Sequence, residues 1–351
     1  MGPLNLLSTG NFPSYKASAT LRDLDCMTDN ESLPDKQGGC FDIVVQAIIK
    51  SWPQHERYLR VNIAERDAEL LAFSELLSEI VCRLGRESHG GLESLVEDYR
   101  FICQKIVLPE ELYFRRHGTY RLKTFEEAFR TVYSDREFMT RYMNGLLVTD
   151  VIWINHCRCM MNYRKEFLPM LPEAASLLEI GPGHGLLLYL ADAMQNVKQV
   201  TAWDVSDASL ALAASTLKTM AAKRPVTFEK RNIFDTSIMN PEFAGLFDGI
   251  VLSEVLEHLE YPLKAIEVLH HVCKPGGLVW INVPANSPAP DHLYLVSDIS
   301  EPVALVKQAG FEVVSEKFYP TSGTTAEKAK ARKLTANCVI VARKPGPRVG
   351  S

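Results

Sequence analysis

The stretch SLLEIGPGHG, residues 176–185, decides how the rest of the chain is read. A short apolar run from Ser176 to Ile180 ends in a glycine turn at Gly181, Gly183 and Gly185, and an amphipathic helix is expected from His184 to about Met194. Glycines between a strand and a helix let a ligand come close to backbone N–H groups, because no Cβ stands in the way. The spacing here is G-x-G-x-G. It lacks the third glycine of the dinucleotide fingerprint, and no Lys followed by Ser or Thr completes a phosphate loop. Glu179, directly before the turn, would repel a pyrophosphate but suits a ligand with an ammonium group. Asp204 stands at the next strand end, nineteen residues beyond Gly185, where a carboxylate can accept both ribose hydroxyls.

Downstream of this turn, short apolar runs alternate with helical ones. Strands are expected over QVTAWDV (199–205), VTFEK (226–230), FDGIVLS (247–253), GLVWINV (277–283), FEVVSEKF (311–318) and ANCVIVARK (336–344). Helices are expected over 208–222, 262–272 and 302–309. Such alternation gives an α/β fold with a doubly wound parallel sheet. The last two strands have no helix of that kind between them and should pair antiparallel at an edge. Upstream the pattern is helical instead. Phe41, Val44, Val45, Ile48 and Ile49 recur at three- and four-residue spacing, as do Leu70, Leu71, Phe73, Leu76, Leu77, Ile80 and Val81. The run from Phe138 to Tyr163 is apolar nearly all round, so it should be buried. The expected organisation is a Ser-, Asn- and Pro-rich arm over 1–35, an N-terminal all-helical domain over 36–165, the α/β domain over 166–345 and a tail over 346–351.

Composition narrows the function classes. The chain has 351 residues, 46% of them hydrophobic and 23% charged, which is enough apolar material for full-sized cores. A net charge of −5 leaves no broad basic footprint for a phosphate backbone, so no nucleic-acid partner is expected. No apolar run approaches the roughly 18 residues needed to span a bilayer, and no signal peptide is read at the start. The eight cysteines form no CxxC pair and read as reduced core thiols, consistent with a cytoplasmic location.

The series EIGPGHG, WDVS, RNIFD, FDGIVLSEVLEHL and KPGGLVWINVP resembles, in content and order, the motifs of class I S-adenosylmethionine-dependent methyltransferases over about residues 172–345. The resemblance implies a Rossmann-like seven-stranded sheet in the order 3-2-1-4-5-7-6, with S-adenosyl-L-methionine as cofactor. By position, Gly181, Gly183 and Gly185 line its methionine and ribose, Glu179 holds the amino group, and Asp204, with Val205 beside it, holds the ribose diol. Asn232 and Ile233 fall against adenine. Asn232 replaces the family's usual Asp but can still bond the adenine amino group through its side-chain oxygen. Ser253 and Glu254 fall where the methionine portion meets the acceptor.

Three constellations could serve the acceptor. In EVLEH, a helical turn would put Glu254, Glu257 and His258 on one face. E-x-x-E-H also resembles the metal-binding motif of small-RNA 2′-O-methyltransferases and ubiquinone-pathway O-methyltransferases, with His292 as a further ligand. The loop from Pro284 to His292 leaves the crevice end of a strand and offers Asn286, Asp291 and His292. In the helical half, Tyr142, Asn144, Trp153, Asn155 and His156, near Asp150, bring polar groups into an apolar segment and need partners once buried. Two basic stretches, Phe114–Arg121 and Glu327–Lys333, read as solvated surface.

The leading reading is a methyltransferase whose helical half caps the active site and offers a surface for homodimerisation. Its substrate is a small polar metabolite of a biosynthetic route, methylated on N or O, with free arginine as the concrete candidate. Glu254, Glu257, His258, His292, Tyr142 and His156 carry the catalysis, and no metal is assigned. The alternatives are a metal-dependent O-methyltransferase using Glu254, Glu257, His258 and His292, and a non-catalytic cofactor-binding regulatory or assembly protein.

Overall fold

The computed structural model describes residues 38–88 and 90–346. The arm read over 1–35, with Cys26 in it, and the tail beyond residue 346 lie outside the described residues. The N-terminal half is a succession of helices: α1 (Cys40–Ser51), α2 (Glu56–Ala64), α3 (Ala68–Ser88), α4 (Leu92–Phe101), α5 (Leu108–His117), α6 (Phe125–Ala128), α7 (Arg136–Ile152) and α8 (Ile154–Asn162). There follow β1 (Ala175–Ile180), α9 (Leu186–Asp192), β2 (Val197–Asp204), α10 (Asp207–Thr219), β3 (Val226–Lys230), β4 (Phe247–Ser253), α11 (Pro262–Val272) and β5 (Cys273–Ala285). The chain closes with α12 (Ser300–Gln308), β6 (Glu312–Pro320), α13 (Ala326–Arg332) and β7 (Ala336–Arg343).

The seven strands form one sheet in the order β3-β2-β1-β4-β5-β7-β6, as the motif series implies. Strands β1 to β5 pair parallel, and β7 runs antiparallel to both β5 and β6. The basic stretch between the last two strands forms the short helix α13, begun by the Thr325 hydroxyl accepting the N–H of Lys328.

One apolar run divides where the sequence pattern is continuous. The stretch 138–163 breaks at Trp153, whose extended backbone (ψ 119°) separates α7 from α8. A helix end leaves carbonyls without intrahelical donors. Here the buried guanidinium of Arg66 donates to the carbonyls of Val151 and Ile152, both at 2.8 Å, so two carbonyls freed by the break regain donors.

Two apolar clusters flank the sheet. One runs without interruption from Phe41, Val44 and Ile48 of α1 through α3, α4, α7 and α8 to Leu177, Trp280, Val339 and Val341 on one sheet face. The other joins the opposite face to α11 and α12. The helical half therefore packs against the sheet: the Trp280 indole N–H donates to Asn162 Oδ1 at 2.8 Å, and its ring meets Tyr163. The carboxyl ends of β1, β2, β4 and β5 open into one crevice, where open α/β sheets bind ligands, and α7 crosses it.

Gly145 in α7 lets that helix lie close to α4. A Cβ there would stand 2.6 Å from the Asp98 carbonyl oxygen and from Ile102 Cδ1. Gly145→Ala gains about 1 kcal/mol of helix propensity but forces the two helices apart at a cost of roughly 1–3 kcal/mol. Chemical denaturation is expected to show a net loss of stability; a more stable variant would contradict the close packing.

Candidate active site

The turn after β1 needs its glycines for two reasons. Gly181, Gly183 and Gly185 have φ of +70°, +54° and +81°, which side-chain-bearing residues adopt at a cost. A Cβ would also stand 2.6 Å from Val255 Cγ2 at Gly181 and 2.9 Å from Ala213 Cα at Gly185. Glu179 points its buried Oε2 at no hydrogen-bond donor, and burial pushes its carboxyl well above the ordinary range. Such an orphaned acceptor is what an ammonium ligand would satisfy, so the residues fit the cofactor that the motifs imply. At the end of β2, Asp204 accepts the Ser206 N–H (2.8 Å) and the Ser209 hydroxyl (2.6 Å), while burial pushes its carboxyl upward. Ile233, expected against adenine, is buried and Val205 is exposed. Asn232 is less free than its chemistry allowed: its Oδ1 accepts the Phe234 N–H at 2.9 Å, so the local turn already uses the oxygen read as the adenine contact.

After β4 the chain does not make the α-helical face expected of EVLEH. Only Leu256–His258 form a single 3-10 turn, and Glu254 lies outside it with φ +51°. The reason is hydrogen bonding. The Glu254 N–H donates to the Asn282 carbonyl at 2.9 Å, and its Oε1 accepts the side-chain amides of Asn282 (3.0 Å) and Asn337 (2.6 Å). Glu254 is thus drawn toward β5 and β7, away from Glu257. Burial pushes its carboxyl up, while the charges of His156 and His258 and the Asn337 amide oppose that. Ser253 accepts the other Asn282 amide hydrogen at 3.1 Å.

Glu257, His258 and His292 do come together, each offering a ligand atom within 4.8 Å of the others. The loop after β5 folds back so that the N–H groups of Leu293 and Tyr294 donate to the Glu257 carbonyl, at 2.8 and 2.9 Å. That contact carries His292 beside Glu257. Both imidazoles are oriented by backbone: His292 Nδ1 donates to the Ser287 carbonyl at 2.6 Å and His258 Nδ1 to the Asp291 carbonyl at 3.1 Å. Each Nε2 is left as a lone pair, at 3.9 and 3.7 Å from Glu257 Oε1. These are too long for hydrogen bonds, and both Glu257 oxygens remain without a donor. Burial, then the charge of Glu254, pushes the Glu257 carboxyl well up, and burial pushes His292 down to about 4.

The helical half roofs this cluster. The Tyr133 hydroxyl donates to Asp291 Oδ2 at 3.1 Å, and Tyr142 is buried with its hydroxyl's acidity suppressed first by burial and then by Asp291, Glu254 and Glu257. His156 is half-buried, with Nδ1 facing Asp150 Oδ1 at 3.3 Å and Thr149 Oγ1 at 3.3 Å. Asn155 donates to Asn337 Oδ1 at 2.7 Å. Asn286 does not face the cluster: its Nδ2 closes the loop base on the Ser297 carbonyl at 2.9 Å. In the basic stretch 114–121, Arg115 pairs with Glu111, and Arg121 pairs with Glu110 and lies over Tyr113.

A methyltransferase domain family matches residues 154–302. Residues 154–302 thus carry a methyltransferase domain, and S-adenosylmethionine is the cofactor it implies. A ubiquinone biosynthesis O-methyltransferase of Pseudomonas aeruginosa is 33% identical over 113 residues, covering 32% of this chain and 45% of that protein. One from Xanthomonas campestris is 30% identical over 116 residues, covering 33% and 45%. The chain thus spans less than half the length of these curated relatives. An O-methyltransferase family protein from Burkholderia thailandensis shares the fold, with TM-score 0.50 at 12% identity over 75% of this chain and 74% of that one. Among the described residues no helix is long and apolar enough to cross a membrane.

Sequence reasoning missed four residues of this methyltransferase site: Tyr133, His184, Asn282 and Asn337. A signal existed for the two asparagines, since each interrupts a strand of otherwise apolar residues and a buried amide needs partners. A protonated Glu179 must release its proton to meet an ammonium group. Calorimetric titration with S-adenosylhomocysteine is therefore expected to show affinity that tightens as pH rises. In Glu179→Gln it should be about tenfold weaker and flat with pH; a pH-dependent variant would contradict the assignment.

Proposed function

We propose that this chain is a divalent-cation-dependent O-methyltransferase acting on a hydroxyl of a small metabolite. The observation that carries the reading is the pair of histidines tied through Nδ1 to backbone carbonyls, with both Nε2 lone pairs beside a buried carboxylate that has no donor. Metal-binding histidines characteristically spend their other ring nitrogen in this way. Glu257, His258 and His292 would hold the cation, and His292, kept neutral by burial, is in the form that ligates. A divalent ion there supplies Lewis acidity that lowers the pKa of a hydroxyl. Glu254 was grouped with the ligands on its spacing, but its Oε1 already accepts two amides. Its other oxygen is left to take the acceptor's proton, a task that suits a carboxylate whose affinity for protons burial has raised. Tyr133 and Tyr142 close the site from above and keep water from a methyl that needs only an aligned nucleophile.

The names of the relatives support oxygen as the acceptor atom. N-methylation of an amino-acid or guanidino group draws less support. It relied on Glu254 and Glu257 as a pair for a cation, whereas Glu254 faces two amides and Glu257 lies fully buried beside two imidazoles.

Incubation of metabolite extracts with deuteromethyl-labelled cofactor, followed by mass spectrometry, tests the proposal. Stripping divalent ions with a chelator is expected to lower label transfer by about a hundredfold, and Mg²⁺ or Mn²⁺ should restore it. Glu257→Gln should lose a similar factor and bind Mn²⁺ more weakly in a titration with the metal alone. Full transfer in chelator would refute the cation, and label found only on nitrogen would refute the O-acceptor. Tight cofactor binding with no label anywhere would favour a non-catalytic role.

A further inference from the structure

His184 sits inside the cofactor turn, between two glycines held at positive φ. Its Nδ1 accepts the N–H of Leu186 at 3.3 Å, which places the ring proton on Nε2. That nitrogen stands 3.0 Å from Asp150 Oδ2 and donates to it. Asp150 does not belong to the sheet: it lies in the last turns of α7, in the helical half. It is buried, and its other oxygen faces His156 Nδ1 at 3.3 Å. Burial alone would push its carboxyl upward, but hydrogen bonds from His156 and His184 outweigh this and hold it below the usual range. The same helix touches the turn a second time, since Met143 Cε would stand 3.2 Å from a Cβ at Gly183. The loop that seats the cofactor is thus held from outside the sheet, by one apolar and one charged contact from α7.

We infer that Asp150 is a positioning residue for the cofactor, which acts through His184 to hold the glycine turn in its binding conformation. The helical half is then part of the cofactor site as well as a roof over the acceptor. A carboxylate that accepts from two imidazoles cannot be replaced by a neutral side chain without loss, because charge-assisted hydrogen bonds are the strong ones. His184, released from Asp150, loses the contact that keeps its ring on the Leu186 N–H. The turn then gains conformations that its three glycines allow and the ligand must select against.

The inference rests on the cofactor assignment, so the test uses S-adenosylhomocysteine and needs no knowledge of the acceptor. Calorimetric dissociation constants are compared for the full chain, Asp150→Ala, His184→Ala and the double variant, with folding checked by circular dichroism. Each single change is expected to weaken binding about tenfold, and the double variant to be no weaker than the poorer single, since both break one interaction. Asp150→Asn, which keeps one acceptor oxygen, should recover part of the loss. Ser322→Ala removes a different contact between the two halves, Asn62 Nδ2 to Ser322 Oγ at 2.7 Å, and should leave affinity unchanged. Losses that multiply in the double variant, wild-type affinity in Asp150→Ala, or an equal loss in Ser322→Ala would overturn the inference. If Asp150→Ala does not fold, His184→Ala decides alone: unchanged affinity overturns it. A full chain that binds no S-adenosylhomocysteine would remove the cofactor assignment itself, and this inference with it.

Discussion

A buried carboxylate oxygen without a hydrogen-bond donor is among the costlier features a fold can carry, and Glu179 and Glu257 both show it. Glu179 lies below the glycine turn and Glu257 below the two histidines, each with a buried oxygen that no protein donor reaches. Burial pushes both carboxyls toward the neutral form. The rest of the site is arranged around that constraint. Ligands able to satisfy these oxygens are cationic, and the neighbouring groups sort them: an open glycine turn beside Glu179, two imidazole lone pairs beside Glu257. The stability given up in the unliganded state becomes affinity for the charges that arrive.

The neutral amides do the opposite work. Asn155, Asn337 and Asn282 form a buried chain of donors from α8 through β7 to β5, and it ends on one oxygen of Glu254. Both amide hydrogens of Asn337 and of Asn282 are directed, so the ladder has a single sense and the carboxylate a single orientation. Glu254 pays for this with a left-handed backbone, a conformation that persists only where its surroundings over-determine it. Glu254 and Glu257 thus take opposite characters from their partners, although they are separated by only two residues of sequence.

The helical half is bound into the sheet domain more deeply than a lid would be. A single apolar cluster joins α1 to Trp280 and Val341, and Asn162 and Asn155 make polar contacts to strands β5 and β7. The pairing explains why the chain expends so much apolar sequence on the stretch 138–163: α7 faces the crevice and α8 faces the sheet, with the Arg66-capped break between them letting one continuous apolar pattern serve two directions.

Local pattern was enough for the alternation of strands and helices, the glycine turn and the acids Glu179, Asp204 and Glu257, because each is written in periodicity or spacing over a few residues, whereas the strand order and the pairing of His258 with His292 came only through the resemblance to methyltransferases. Alternation of strands and helices dictates a doubly wound sheet, and a strand ending in glycines dictates where a ligand approaches. Partnership across distance is not written that way. Nothing in EVLEH announces that Glu254 turns to amides on β5 and β7 while Glu257 meets a histidine more than thirty residues on, since helical spacing would have grouped the two acids. Nor does the glycine motif announce that its histidine answers to Asp150 on a helix of the other half. Those choices were made by packing, which alone sets which buried polar groups can reach a partner.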